Sequence, residues 1–315
     1  MEKPWKTYLK SSVESNSALI GVDWGTSSLR AFLIGTEGEV LDRLTTSQGI
    51  MRVADGDFSR VLKELLAPWL AEKRLPIIAS GMITSRNGWL ETPYLSAPAG
   101  AAQLAGNLHR INFDDDTPLH FVTGMSIEHS GAPDVMRGEE TQIAGVVEAG
   151  LIDGVCVMPG THSKWITVRD RQITDFQTVM TGEVFAALRQ HTILGTLMKD
   201  GAFSEHAFRD GVRAGFKSGE NLLHYLFRVR TLPLFDKLSE EQTADYLSGM
   251  LIGAEANGVL ANQATRGEVN ILGRGDLAER YTIALEMCNQ KSVHYDENIV
   301  VRGHFAIANA AGLLK

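Results

Sequence analysis

The sequence predicts an α/β protein of two related lobes. Two observations carry this. A strand, a Gly-Thr turn, a second strand, a tight turn and a third strand occur in that order twice, around Gly25-Thr26 and again around Gly160-Thr161, 135 residues apart. Between and after these meanders run amphipathic segments broken by short buried-strand patterns such as PIIASGM and LHFVTGM. A period of 135 residues is far too long for a solenoid and suits a domain-sized duplication. Two facing halves would leave a cleft between them, where ligands usually sit. Two unrelated β meanders remain the alternative on spacing alone.

The elements follow in order. Residues 1–17, MEKPWKTYLKSSVESNS, have no apolar core segment and read as a polar leader rather than a secretory signal. ALIGVD, LRAFLIG and VLDRLTTS alternate as strands joined by the turns WGTSS and TEGE. FSRVLKELLAPWLAE has a helical apolar stripe that Pro68 should bend or end. PIIASGM and LHFVTGM read as parallel strands buried on both faces. A helix starts at Glu139 and Glu140, whose charges suit a helix N-terminus. GVCVM, WITVRD and ITDFQTVM form the second meander, and TGEVFAALRQHTIL a helix with Thr181 as candidate N-cap. Long helices are expected near 205–230 and 240–264, then the strand VNILG to Gly273 and the helix DLAERYTIALEMC. The expected division is a leader at 1–17, an N-terminal lobe over 18–137 and a C-terminal lobe over 138–315. The last thirty residues offer no motif.

Composition excludes several classes. The chain of 315 residues is 44% hydrophobic and 22% charged, ordinary for a globular protein, and its net charge of −8 argues against a general nucleic-acid surface. An anionic substrate would need a local cluster of basic groups and backbone N–H donors. Two cysteines without metal-ligand spacing read as core residues of a reduced compartment. No apolar run approaches the roughly 20 residues that span a bilayer. The cytoplasm is the expected location, with no membrane or nucleic-acid partner and a homodimer admitted as the assembly.

The turn DWGTSSLR places Asp23, Gly25, Thr26, Ser27, Ser28 and Arg30 within eight residues. Gly permits close approach, and the hydroxyls and backbone N–H groups of such a turn can donate to anionic oxygens. Asp23 would repel bare phosphate unless a Mg²⁺ stood between them. Arg30 and Lys164 could neutralise charge as a phosphoryl group moves. Neither a GxxxxGK[ST] loop nor a GxGxxG after a strand is present, so the P-loop and dinucleotide-binding readings fail. The scattered histidines form no HExxH, and Trp24 and Trp165 read as packing residues.

DWGTSSLR resembles the first phosphate loop of the carbohydrate kinases in the actin–hexokinase superfamily, whose lobes are of the actin-like ATPase (ribonuclease H-like) type with an interlobe cleft. PGTHSKW resembles the second phosphate loop and ILGRGDL the adenosine segment. VMRGEETQIAG, VMPGTHSKW, FQTVMTGE and LSGMLIGAE, in that order, resemble the 2-dehydro-3-deoxygalactonokinase family, over about residues 18–285. The resemblance implies ATP and Mg²⁺ as cofactors and transfer of the γ-phosphate to the terminal hydroxyl of a 2-keto-3-deoxy sugar acid. Asp23 would hold the metal. Gly25, Thr26, Ser27, Gly160, Thr161, His162, Lys164, Gly273 and Gly275 would hold the nucleotide. The chain departs from the superfamily at Met158, where an acidic residue often stands, so the base must come from elsewhere. Glu139 and Glu140 are the candidates, with Glu139 slightly preferred and the two not separated; first-turn dipole partners on a solvated face are the alternative. Arg137 would hold a substrate carboxyl or pair with a Glu. Ser85, Arg86 and Asn87 would line the sugar site or form a plain surface loop. Thr181 and Glu183 would reach substrate or nucleotide, with Thr181 equally explained as a cap. A kinase for another sugar and a non-catalytic nucleotide-binding regulator are the competing functions.

Overall fold

A computed structural model describes residues 16–71, 73–113, 117–262 and 267–314, with only the backbone of Asn262. The leader expected over 1–17 therefore lies, but for its last two residues, outside the described residues. Contacts divide the chain into two compact units, Met1–Ile152 with Val168–Asp175 and Asn298–Lys315, and Asp153–Thr167 with Phe176–Glu297. The expected boundary at 137/138 is displaced. The helix that starts at Glu139 packs on the helix Ile299–Ala310, and both belong to the first unit.

The first unit is built on a six-stranded mixed sheet of order β3-β2-β1-β4-β7-β6. Its strands are β1 Ser17–Trp24, β2 Leu29–Gly35, β3 Val40–Thr46, β4 Ile77–Ser80, β6 His109–Asn112 and β7 Pro118–Phe121. A second small sheet joins β5 Leu95–Ser96, β8 Met125–His129 and β9 Ala132–Met136 in the order β5-β8-β9. Strand period decides the two faces of β1. Ile20, Val22 and Trp24 are fully buried in a core with Phe58, Val61, Leu62, Leu66 and Trp69 from α1, Phe58–Leu70. Asp57 caps α1 by accepting the Arg60 N–H, and Pro68 falls two residues before its end. The short α2, Ala101–Gly106, follows β5, and α3, Glu139–Glu148, follows β9.

Gly21 and Asp23 point to the other face of β1, which the helix Ile299–Ala310 covers: a Cβ on Gly21 would stand 2.7 Å from His304 Nδ1. That helix crosses α3 at backbone distance, since a Cβ on Gly303 would meet the Thr141 carbonyl oxygen at 1.8 Å and one on Gly145 the Ile299 carbonyl at 2.1 Å. No larger residue fits at either crossing point.

The second unit repeats the plan. Its sheet runs β12-β11-β10-β13-β14, with β10 Gly154–Met158, β11 Ser163–Arg169, β12 Gln172–Val179, β13 Val269–Leu272 and β14 Ser292–Tyr295, the residues Val168–Asp175 at the β11–β12 turn being grouped with the first unit. Each sheet is thus an antiparallel meander extended by two parallel strands from its first strand, β4 and β7 in one, β13 and β14 in the other. The helices are α4 Thr181–His191, α5 Glu205–Ser218, α6 Leu222–Leu226, α7 Arg228–Leu234, α8 Thr243–Asn262 and α9 Gly275–Met287. The single helix expected over 205–230 breaks at Gly219, whose φ of +48° takes the chain out of the helical region.

Candidate functional site

In the first unit, the site grows from the carboxyl ends of β1 and β4. Asp23 stands opposite Arg30 on β2 and opposite Ser80 on β4, so all three side chains rise from one face. Arg30 donates to Asp23 Oδ2 from Nε at 3.1 Å and from Nη2 at 2.5 Å. The expected neutralising arginine is thus held by the expected metal carboxylate. Ser80 Oγ lies 2.9 Å from His304 Nε2, and both residues are fully buried. Burial pushes the His304 imidazole down to about 4; Asp23 opposes that shift and Arg30 adds to it. His304 is therefore neutral at neutral pH.

The turn after β1 is closed by the Gly25 N–H donating to the Ser28 carbonyl at 2.9 Å. The Gly25 and Thr26 carbonyls accept from the Ile50 and Met51 N–H groups at 3.0 and 3.3 Å. With those carbonyls turned to the following segment, Thr26, Ser27 and Ser28 form an exposed rim of hydroxyls.

Gly81, with φ of +96°, follows β4, and a Cβ there would lie 2.8 Å from the Trp24 carbonyl and 3.4 Å from Asp23 Oδ1. Gly138, with φ of +110°, lies against it, its virtual Cβ 3.1 Å from Gly81 Cα. Two glycines in the left-handed region therefore bring the start of α3 up to the Asp23 edge. There the two expected base candidates separate. Glu140 is fully buried; its Oε2 accepts the Gly138 N–H at 2.7 Å and its Oε1 the Thr141 hydroxyl at 3.0 Å. Burial, then the neighbouring Glu139 charge, push its carboxyl up to about 8. Glu139 is only half-buried and accepts the Arg137 N–H at 2.8 Å.

Arg137 was expected to grip a substrate carboxyl or a Glu, and its guanidinium contacts go elsewhere. Nη1 donates to the Thr84 carbonyl at 2.5 Å and to the Thr84 and Thr92 hydroxyls at 2.8 Å each, and Nη2 to the Thr92 carbonyl at 3.1 Å. The group also lies 4.3 Å over the Tyr94 ring. It ties the chain entering α3 to the segment just before Ser85, Arg86 and Asn87. There the Gly88 N–H closes a turn on the Ser85 carbonyl at 2.8 Å, and Arg86 and Asn87 are exposed.

In the second unit, Gly160, Thr161 and His162 lie in the loop after β10, with Thr161 and His162 exposed. Parallel pairing of β10 with β13 sets Gly273 beside this loop, its virtual Cβ 3.7 Å from the Pro159 oxygen; Gly275 opens α9 in an exposed position. The start of α4 packs on the same loop. The Glu183 N–H donates to the Thr161 carbonyl at 2.9 Å, and His162 Nε2 stands 2.5 Å from Glu183 Oε2. Lys164 is buried and donates to the Thr178 hydroxyl at 2.6 Å. A cavity of about 290 Å³ adjoins, lined among others by Gly160, Thr181, Gly182, Ser248, Leu277 and Arg280. Arg280 is fixed there by Asp245 at 2.9 Å and by the Phe203 ring at 4.3 Å.

Sequence reasoning brought out the loops but missed His304, Arg280 and Asp245. Only helical spacing of apolar neighbours around His304 could have marked its face as buried. Trp24 and Trp165 are fully buried, as expected of packing residues.

Among the described residues no group of three or more His, Cys, Asp or Glu gathers to hold a metal ion. The lone Asp23 fits a Mg²⁺ that arrives with ATP and takes most of its shell from phosphate oxygens and water. It does not fit a resident metal centre. No helix of the described residues is long and apolar enough to cross a membrane.

Two units on one strand order, each with a glycine-hydroxyl turn after its first strand, define a protein of the actin-like ATPase fold. A family model described as 2-keto-3-deoxy-galactonokinase matches residues 23–307, and the chain belongs to that family. It is 37% identical over 284 residues to the Rhizobium meliloti (strain 1021) protein named "Probable 2-dehydro-3-deoxygalactonokinase DgoK1", covering 88% of this chain and 92% of that one. It is 33% identical over 267 residues to the 2-dehydro-3-deoxygalactonokinase of Escherichia coli (strain K12), covering 85% and 89%. A crystal structure of a candidate 2-dehydro-3-deoxygalactonokinase from Sinorhizobium meliloti superposes with a TM-score of 0.86 at 36% identity, covering 93% of this chain and 98% of that one. The protein is a sugar-acid kinase that uses ATP and acts on an alcohol group.

Proposed function

We propose that the chain transfers the γ-phosphoryl group of ATP to the 6-hydroxyl of 2-dehydro-3-deoxy-D-galactonate, in the cytoplasm. The observation that carries this reading is the match to kinases of that name along nearly the whole chain, from residue 23 to 307. Phosphoryl transfer asks mainly for positioning and charge neutralisation, and the residues divide by those tasks.

Glu139 is the base: it is the carboxylate of the pair that solvent reaches, and a half-buried carboxylate can orient a hydroxyl and take its proton. Glu140, kept largely neutral by burial, holds the Gly138 N–H and so fixes the start of α3. The hydroxyls of Thr26 and Ser27 and the backbone at Gly25 receive phosphate oxygens, as do Gly160, Thr161 and His162. Asp23 would hold Mg²⁺ with phosphate oxygens and water, and the ion, when bound, offsets charge on the phosphates. Arg30 holds the Asp23 carboxylate aimed through two hydrogen bonds. Gly273 and Gly275 border the nucleoside. Arg86 and Asn87, exposed and free of the threonine contacts that commit Arg137, take the sugar acid's carboxyl and hydroxyls, while Arg137 holds their loop in place. Lys164, Thr181 and Glu183 support the second loop from beside it.

The test is an ADP-release assay over 2-keto-3-deoxy sugar acids and neutral sugars, with ³¹P NMR of the product. Turnover should favour the galactonate derivative by about 10²-fold or more over neutral sugars, with the new ester at the terminal carbon. Equal turnover of a neutral sugar would assign another substrate. ATP binding without any ADP release would mean a regulator.

A further inference from the structure

The string LSGMLIGAE ends in Glu255, a carboxylate in the middle of α8 that none of the roles above employs. It is 6% exposed. An ionisable group so deep in a helix bundle is costly unless its oxygens are bonded. Both are. Trp165 Nε1 donates to Oε1 at 2.7 Å, and the Tyr281 hydroxyl donates to Oε2 at 2.8 Å. Tyr281 in turn lies 2.8 Å from Ser163 Oγ, and the Thr181 hydroxyl also bonds the carboxylate. Burial lifts the Glu255 carboxyl above the usual range, and the bonds from Thr181, Trp165 and Tyr281 pull it back.

The donors share a location. Ser163 and Trp165 open β11 directly after the loop of Gly160 and Thr161. Thr181 starts α4 and precedes Gly182, the residue whose Cα presses on that loop. Tyr281 lies on α9, two turns after Gly275, and with Thr181 it lines the cavity of about 290 Å³. One buried carboxylate therefore joins the three segments that surround the second loop. Glu255 itself does not line the cavity.

We propose that Glu255 is the positioning residue of the second phosphate loop, setting the geometry of nucleotide binding through Trp165, Tyr281 and Thr181 without touching the nucleotide. The proposal rests on the assignment of Gly160, Thr161 and His162 to phosphate. Glu255→Gln keeps the size of the side chain but replaces one acceptor by a donor, so it cannot satisfy Trp165, Tyr281 and Thr181 together.

The experiment is steady-state kinetics on the full chain with both substrates varied, ATP affinity measured by titration calorimetry without sugar acid, and thermal unfolding. Glu255→Gln should weaken ATP binding and raise KM for ATP by about tenfold or more, with KM for the sugar acid changed less than about twofold. Thr161→Ala tests the loop assignment by itself and should also raise KM for ATP. If Thr161→Ala leaves ATP binding unchanged, the loop assignment fails. If Thr161→Ala weakens it and Glu255→Gln does not, the positioning role fails and Glu255 is only a structural tie, visible as a lower Tm with both KM values intact. Should Glu255→Gln not fold, Tyr281→Phe removes one of the carboxylate's bonds; an unchanged ATP affinity in that variant overturns the proposal equally.

Discussion

A single methyl group can test whether the second loop works by close positioning. In Gly182→Ala, the added Cβ would stand 2.3 Å from the Gly160 carbonyl oxygen and 2.9 Å from Thr161 Cα. Ordinary contact begins near 3.4 Å, so the loop and the start of α4 must part by about 1 Å. The atoms in the way are backbone, and no side chain can swing aside. The Glu183 N–H bond to the Thr161 carbonyl, now 2.9 Å, would lengthen with the same movement. A misplacement of about 1 Å at a reacting group can cost about 10²-fold in rate, near 2.7 kcal/mol. Stability should change less, because alanine is the better helix former and offsets part of the crowding. The measurement is kcat/KM for ATP at saturating sugar acid, beside Tm. Gly258→Ala is the control: it lies on α8 with nothing within 4 Å of the virtual Cβ, and should keep full activity with a stability gain of up to about 1 kcal/mol. A Gly182→Ala enzyme within about threefold of the parent kcat/KM would refute the reasoning, since the loop would then tolerate displacement.

Other variants address the first unit. Glu139→Gln should lower kcat by on the order of 10²-fold, whereas Glu140→Gln copies the neutral acid and should keep most of the rate; the reverse order of losses would exchange the two roles. Glu140 also predicts a pH dependence. Its folded carboxyl titrates at about 8 against the usual 4.5, so between those values the folded state holds a proton that the unfolded chain has released, and stability falls as pH rises through the window. The Tm of the parent should therefore decline from pH 5 to 8 more steeply than that of Glu140→Gln; parallel curves would show that Glu140 is ionised in the fold. Asp23→Asn should lower kcat by about tenfold or more through loss of the metal's carboxylate, and undiminished turnover at any Mg²⁺ concentration would remove Asp23 from that role. Gly303→Ala places a Cβ 1.8 Å from the Thr141 carbonyl and should cost about 1–3 kcal/mol, read as a fall in Tm; an unchanged Tm would mean that the two helices separate freely.

What could be read from residues alone was local and periodic. Both meanders show in the chain because alternation over Ala18–Trp24-type runs and the Gly-Thr turns are short-range signals, and the structure reproduces them in equivalent sheet positions. The sheet of β5, β8 and β9 escaped, since a two-residue strand such as Leu95–Ser96 has no period to detect. The site was half legible. Asp23, Arg30 and Glu139 stand in recognisable strings, but what separates Glu139 from Glu140 is burial in the folded chain, which no neighbouring residue reports. Arg137 beside two glutamates suggested an ion pair or a substrate grip. Its partners proved to be threonines 45 and 53 residues upstream. Likewise Glu255 reaches Trp165 from 90 residues away, so its role follows from tertiary packing and not from its own string.

The helix Ile299–Ala310 has a consequence for how the chain is made. It seals the Gly21 and Asp23 face of a sheet whose strands leave the ribosome more than 150 residues earlier. Until it emerges, Ser80 lacks its His304 partner and the Gly145 face of α3 has no helix to close against, so the first unit cannot reach its final packing before residues 299–310 are made. Nascent chains stalled just short of residue 299 should accordingly be cut by protease in the first unit more readily than the full chain.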